Sequence, residues 1–449
     1  MKYILVTLVT LSVLTGVFPA GVTAQPASPD TLVLTLDQSQ SLALEKNPQL
    51  QSAEKDIHKS EAQITQARGN LLPSLNAFTN YSHNFELPIF VIDFGGVKQS
   101  FRAGSVENVT SGLQVQQPVF MGGRIYNGYK IAETSAEITK NQATITKQQT
   151  LLQVRQAFYN TLFTKELISV AEEALKNAQH NLDQVQKRKD VGSASGFDVL
   201  RAKVQVANTQ PQVIAAEHRH DQSLTTLRTV IGLEKDTPIK VQGELKYKSS
   251  KFEGMTLQDL QQAAFSNRLE LQNVHLQRDI MQRNVSIARA KYLPTIAATA
   301  NLQFQAQKDK WAFGSRDFIR SKSGAVQLSI PLFAGGSNRA GVQQAEVDLR
   351  KVQDTEQQVK NMIAAEVESA YYSLSDAREK LDSQNETIQQ AEESVRLAEL
   401  MYKEGTATQL DVLNAQLALQ QARSNYTQYL LQYNVARDQL EKAVNQLSN

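Results

Sequence analysis

The chain of 449 residues contains no cysteine. No disulfide framework can staple it, and no thiolate metal site can form. Nor can an amino-terminal cysteine carry a lipid after export processing. An excess of either charge is also missing: 47 Lys and Arg stand against 45 Asp and Glu. A nucleic-acid partner, which normally shows as a basic surplus, is therefore not expected. Beyond residue 24 there is no apolar run of the roughly 18 residues that reads as a spanning helix. If the mature chain crosses a membrane, it must do so as a closed barrel of strands, because lipid offers an open sheet edge no hydrogen-bond partner.

Groups that carry chemistry are equally sparse. Of the histidines only His218 and His220 lie close together. An i,i+2 pair does not share a helical face, so no metal site is expected there. No glycine-rich dinucleotide fingerprint, phosphate loop or spaced Ser/His/Asp set is present. Gly122-Gly123 and Gly335-Gly336 follow the proline-bearing strand ends at Pro118 and Pro331 and precede helices. They read as tight strand-to-helix elbows. No catalytic residue, metal or cofactor is expected, and the protein is not expected to be an enzyme.

What the chain does contain, it contains twice. Leu72-Pro73 recurs as Leu293-Pro294, and Pro118-Val119-Phe120-Met121-Gly122-Gly123 as Pro331-Leu332-Phe333-Ala334-Gly335-Gly336. Val191-Gly192-Ser193-Ala194-Ser195-Gly196-Phe197-Asp198-Val199-Leu200 recurs as Glu404-Gly405-Thr406-Ala407-Thr408-Gln409-Leu410-Asp411-Val412-Leu413. The interval shortens once, between the first and second landmarks, so the copies differ by a short loop.

Ahead of the first copy, Lys2 and the mostly apolar run Ile4 to Phe18 form an export signal, with small residues for cleavage after Ala24. A transmembrane anchor is the weaker reading, since the run is short for a span. Residues 1–24 are thus a signal peptide. Residues 25–235 form a first repeat, 236–254 a linker with a shorter echo near Thr31 to Thr35, and 255–449 a second repeat. The first repeat reads as helix 36–71, strands 73–86 and 105–120, long helix 124–190 and helix 197–232. The second reads as helix 257–292, strands 294–307 and 323–333, long helix 338–403 and helix 409–447.

The strands alternate. Ile296, Ala298, Ala300, Leu302, Phe304 and Ala306 share one face, while Ala297, Thr299, Asn301, Gln303 and Gln305 share the other. Val326, Leu328, Ile330 and Leu332 alternate likewise with Ala325, Gln327 and Ser329. One apolar and one amide-rich face suits an outer-membrane strand; a soluble hairpin with one wet face has the same pattern. The apolar stretch 87–92 in the first loop fits either a cover over the barrel mouth or an extension of the strand.

Two stretches, about 124–189 and 338–403, lack proline and hold a single glycine each, Gly128 and Gly341. As helices each spans roughly 100 Å, longer than any one globular domain requires. Each ends at a glycine-containing break and returns as a second helix, so the pairs are antiparallel. Ser195 and Thr408 are candidate N-caps, with Asp198 and Asp411 in the first turns; capping alone accounts for both aspartates.

With these residues laid out, the chain resembles the TolC-like outer membrane efflux family over about residues 36–447. The most specific piece is Tyr402-Lys403-Glu404-Gly405-Thr406-Ala407-Thr408-Gln409-Leu410-Asp411-Val412-Leu413-Asn414-Ala415. The resemblance implies an internally duplicated, mixed α/β membrane protein. Four strands per protomer would enter a trimeric twelve-stranded outer-membrane β-barrel, continued by a long periplasmic coiled-coil α-helical barrel. It implies a homotrimer in outer-membrane lipid, a periplasmic adaptor and an inner-membrane transporter as partners, and passive export of small molecules. A type I protein secretion duct shares the architecture, and a poreless coiled-coil scaffold is the alternative outside it. It further implies a pore constriction at Asp411 and Asn414, where the family archetype has two aspartates. Tyr402 and Asp198 would lock neighbouring coils; Ala407 replaces the basic residue of that lock. Adaptors would dock at the tips Val191, Gly192, Ser193, Gly405 and Thr406.

Overall fold

A computed structural model describes residues 31–445; the signal-peptide reading of residues 1–24 lies outside them. The first element is a short strand, β1 (Leu32–Leu34). Two helices follow, α1 (Leu36–Lys46) and α2 (Pro48–Gly69), where the sequence suggested one helix over 36–71. Asn47 makes the break. Its backbone is extended, its Oδ1 accepts from the amides of Gln49 and Leu50, and its Nδ2 donates to the Val230 carbonyl at 2.7 Å. Pro48 then occupies the first helical turn, where a missing N–H costs nothing.

The second copy breaks at the equivalent place, between α5 (Leu257–Asn267) and α6 (Leu269–Arg289), so the single helix expected over 257–292 is corrected too. Here Arg268 is extended and buried. Its guanidinium donates to Glu270, to Glu366 at 2.8 Å and to the Ala443 carbonyl at 3.0 Å. A charged residue at the second break does what an amide and a proline do at the first.

The barrel strands are β2 (Ser74–His83), β5 (Glu107–Met121), β7 (Thr295–Lys308) and β8 (Ile319–Ser329), in the order β2-β5-β7-β8, all antiparallel. The register puts Ala77, Leu113 and Leu302 side by side, and Leu75, Val115 and Ala300 beside them. On β8, Leu328 faces Ile296 and Val326 faces Ala298. One face is thus apolar across all four strands in the half of the sheet nearer the helices. β8 starts and stops earlier than the expected 323–333; Pro331 lies beyond its end, exposed, because proline cannot donate to the ladder. The segment 87–92 belongs to a separate hairpin, β3 (Ile89–Phe94) with β4 (Val97–Arg102), closed by a turn in which the Gly96 amide donates to Asp93.

Helix α3 (Arg124–Asp190) pairs with α4 (Gly196–Ile231), and α7 (Ser337–Lys403) with α8 (Gln409–Ala443). The two long helices have 67 residues each, about 100 Å at the α-helical rise. Ala136, Ala171, Ala178, Ala202 and Ala216 are buried along the first pair, and Ala377, Ala391, Ala415 and Ala422 along the second. Small side chains let the helix axes approach closely. Where the helices pass their midpoints, larger residues build two cores. Leu34, Phe158, Leu162, Leu227 and Ile231 form one with β6 (Ile239–Val241), which pairs in parallel with β1. Leu260, Leu271, Ile363, Val367 and Leu440 form its counterpart. Each fully buried large side chain contributes about 1.5–3 kcal/mol. No helix of the described residues is long and apolar enough to cross a membrane.

Candidate functional site

The two helical hairpins turn in the same way. At the end of α3, Gly192 takes φ +76° and its amide donates to the Lys189 carbonyl. The Ser193 amide and hydroxyl both donate to the Arg188 carbonyl. At the end of α7, Gly405 takes φ +77°, and the Thr406 amide and hydroxyl both donate to the Met401 carbonyl. A left-handed residue is required at each turn, and glycine adopts it without strain.

The returning helices open on matched capping boxes. The Ser195 hydroxyl and amide donate to Asp198 Oδ2, and the Asp198 amide donates back to Ser195 Oγ. The Thr408 hydroxyl and amide donate to Asp411 Oδ2 at 2.6 and 2.7 Å, and the Asp411 amide donates back to Thr408 Oγ1. The hydroxyl bond first, and the backbone bond second, hold both carboxyls below the usual aspartate range. Both aspartates are therefore ionised anchors of a helix start. Asp411 is exposed and lies with Asn414, Ala415 and Ala418 in a shallow groove against Leu397, Ala398 and Met401 of α7. The tip residues Val191, Gly192, Ser193, Gly405 and Thr406 are exposed.

Tyr402 is placed differently from the lock suggested by resemblance. Within the protomer no hydrogen bond joins it to Asp198 among the described residues. Arg188 takes that place. Its guanidinium carbon lies 4.2 Å from the Tyr402 ring centroid, and its Nη1 donates to the Tyr402 carbonyl at 3.1 Å. The ends of α3 and α7 are thereby tied across the two copies. A second tie lies further from the tip: Arg423 on α8 reaches Glu173 on α3 and Glu392 on α7. Neither arginine was singled out in the sequence. Arg188 stands in the charged run Lys187-Arg188-Lys189-Asp190, which reads as a solvated helix end, and its partner is 214 residues away.

The elbows join these helices to the sheet. Gly122 has φ +62°, and a Cβ there would lie 2.9 Å from the Ala290 carbonyl oxygen. Gly123 and Gly336, at φ +82° and +81°, cap α3 and α7. The strand β5 bulges between Pro118 and Phe120, just before its elbow.

Four apolar-faced strands at one end, and two long hairpins with matched tips at the other, define an outer-membrane channel protomer with a large periplasmic portion. The model of the family described as outer membrane efflux protein matches residues 40–233 and 260–446. The chain belongs to that family. Outer membrane protein TolC of Salmonella enteritidis is 23% identical over 418 residues, covering 89% of this chain and 82% of that protein. The alkaline protease secretion protein AprF of Pseudomonas aeruginosa is also 23% identical, over 90% of this chain and 83% of that one. Among solved structures, CusC superposes with a TM-score of 0.75 at 18% identity, covering 94% of this chain and 95% of that chain. The open state of the MtrE channel of Neisseria gonorrhoeae gives 0.74 at 20% identity, covering 92% and 89%.

Proposed function

We propose that three copies close into a single passive duct, through which an inner-membrane transporter drives small molecules outward by way of a periplasmic adaptor. The observation that carries this is the sheet. In the half nearer the helices one face is apolar over all four strands, the other face is amide-rich, and β5 and β8 lead into the long helices α3 and α7. Such a sheet seals only by joining copies of itself, and the seal continues as a helical tube. The protein supplies no chemistry; the path and its gating are its contribution, and energy comes from the pump.

In this reading Asp411 and Asn414 line the narrow end, and the tips at Val191, Gly192, Ser193, Gly405 and Thr406 receive the adaptor. An adaptor opens the entrance only to the extent that it binds the open state better than the closed one. Among the relatives, AprF is named for alkaline protease secretion, OpmQ for pyoverdine export and CusC for cation efflux. Protein secretion therefore stays as the second reading of cargo, at the same level of likeness as TolC. Single-channel recording of the purified mature protein in a planar bilayer tests the proposal. Stepwise conductance with cation preference is expected, and Asp411→Ala lowers that preference. A water-soluble monomer without conductance overturns the duct; unchanged selectivity in Asp411→Ala removes that residue from the constriction.

A further inference from the structure

Toward the end away from the long helices the apolar face of the sheet turns polar: His83, Glu107 and Lys308 share one row, with Glu107 bonded to Tyr81 and His83, and β8 adds two cations nearer the middle. β8 pairs with β7 without a bulge, so its even-numbered residues stay on one side from Leu328 to Arg320. Leu328 and Val326 on that side face Ile296 and Ala298. Two residues on, Gly324 faces Ala300; then Lys322 faces Leu302 and Arg320 faces Phe304. Two cations thus sit on the surface that the barrel turns to lipid, both exposed. The opposite side of the same strand carries Ser321, Ser323, Ala325 and Gln327, where a charge would have met water.

Among the described residues neither Arg320 nor Lys322 has an acidic partner; the nearby Asp317 is bonded to Lys308 at 2.6 Å. In the closed barrel the strand beside β8 is β2 of the next copy, and β2 itself contains no Asp or Glu. A lipid-facing Lys or Arg costs about 2–4 kcal/mol at the bilayer midplane and about 0–1 kcal/mol near the headgroups. In the barrel reading Arg320 falls at the headgroups, and Lys322, two residues deeper, reaches them with its long side chain. Arg320 is eight residues beyond Leu328, about 26 Å along a strand and about 20 Å along the membrane normal at the usual tilt. The aromatic cluster of Tyr81, Trp311, Phe313 and Phe318 surrounds the same end of the sheet, with Tyr81 and Trp311 edge to face at 5.1 Å. Such rings mark the membrane–water interface. Because α3 and α7 leave from the opposite end, this interface is that of the outer leaflet.

We propose that Arg320 and Lys322 form a binding site for the phosphate groups of the phosphorylated glycolipid of the outer leaflet, with the acyl chains lying on Leu302, Phe304 and Val326. The site rests on the barrel reading above and repeats once per protomer. Guanidinium and ammonium side by side suit a phosphate, the first as a fork and the second as a point charge.

The test uses the full mature protein in nanodiscs of phosphatidylethanolamine containing diphosphoryl lipid A, fully dephosphorylated lipid A or phosphatidylglycerol, with lipid retention read by native mass spectrometry. Diphosphoryl lipid A is expected to be retained, up to one per protomer, at least tenfold more tightly than either other lipid. The double variant R320Q/K322Q loses about tenfold or more of that preference at unchanged single-channel conductance, and R320K keeps most of it. Equal retention by the double variant, or of lipid A with and without phosphates, or of phosphatidylglycerol, overturns the site. If the double variant fails to assemble, the comparison of the three lipids on the unaltered protein decides. A wild-type protein that conducts normally but shows no lipid preference refutes this site alone; one that never conducts refutes the barrel.

Discussion

At the scale of single residues, the entrance is organised by contacts that no local pattern announces. Tyr402 was legible as a candidate lock from the motif around it, yet the group that engages it is Arg188, from the other copy of the repeat. The contact uses the aromatic face and the backbone carbonyl, not the phenol oxygen. Tyr402→Phe is therefore expected to leave resting conductance unchanged, whereas Arg188→Gln raises it by loosening the two hairpin ends. Equal increases in both variants would point to a hydroxyl bond instead. The same blindness applies to the buried charges near the midpoint of the helices. Asp438 is fully buried against Arg437 at 2.8 Å and Arg155 at 3.5 Å, and Arg437 also donates to the Tyr159 hydroxyl. Burial, helped by the Asp438 charge, pushes the Tyr159 phenol up to about 12. Asp438→Ala removes the buried carboxylate shared by Arg437 and Arg155, leaving Glu441 as the carboxylate beside Arg155, and is expected to destabilise the fold by about 3 kcal/mol, read from thermal unfolding in detergent. In the sequence these residues sit on amphipathic helices 278 positions apart, where a charge ordinarily means solvent.

At the scale of elements, the local rules carried far. Alternation placed four strands, and the absence of proline and glycine placed two 67-residue helices. They failed where one residue changes roles: Arg268 ends one helix and starts the next by virtue of partners on α7 and α8, and propensity alone sees a good helix former. They also missed β3 and β4, whose apolar residues Ile89, Phe90, Val91, Val97 and Phe101 are exposed and so give no clear two-period pattern. The capping boxes at the tips make a pH prediction. Asp198 and Asp411 are held below the ordinary aspartate value by hydroxyl and amide bonds. A depressed folded-state value means the cap contributes fully above the unfolded value, about 3.9, and is lost as pH falls through the folded one. Amide hydrogen-exchange protection at residues 408–412, taken relative to the intrinsic rate at each pH, should hold at neutral pH and fall selectively as the pH drops below the ordinary aspartate range; uniform protection along α8 over that range would show that the box does not hold the helix start. The elbow at Gly122 is more rigid. Gly122→Ala puts a Cβ 2.9 Å from the Ala290 carbonyl oxygen in a left-handed backbone, and a cost of about 1–3 kcal/mol is expected.

At the scale of the whole molecule, the decisive fact is that the sheet is open. β2 and β8 each have a bare edge, over ten and eleven residues. In lipid every unpaired backbone group costs several kcal/mol, so the edges must be paired. They cannot pair with each other within one chain, because four strands do not close; eight are about the smallest barrel known to do so, and eight leave an interior filled with side chains. Two copies would therefore make a plugged cylinder, and three are the fewest that leave an aqueous path. In the proposed ring the joint between copies is head to tail, β8 of one against β2 of the next, and a rotation that closes yields a ring. The absence of cysteine makes this directly testable. Pairs introduced on the amide-rich face, one at Asn76 or Asn80 and one at Ser321, Ser323 or Gln327, should cross-link only between protomers. Oxidation in the membrane is then expected to give dimers and trimers on a denaturing gel, ending at the trimer. A ladder that stops at the dimer or runs past the trimer would fix a different number of copies, and a purely intramolecular product would mean that β2 and β8 meet within one chain and that the tube is not built from repeated sheets.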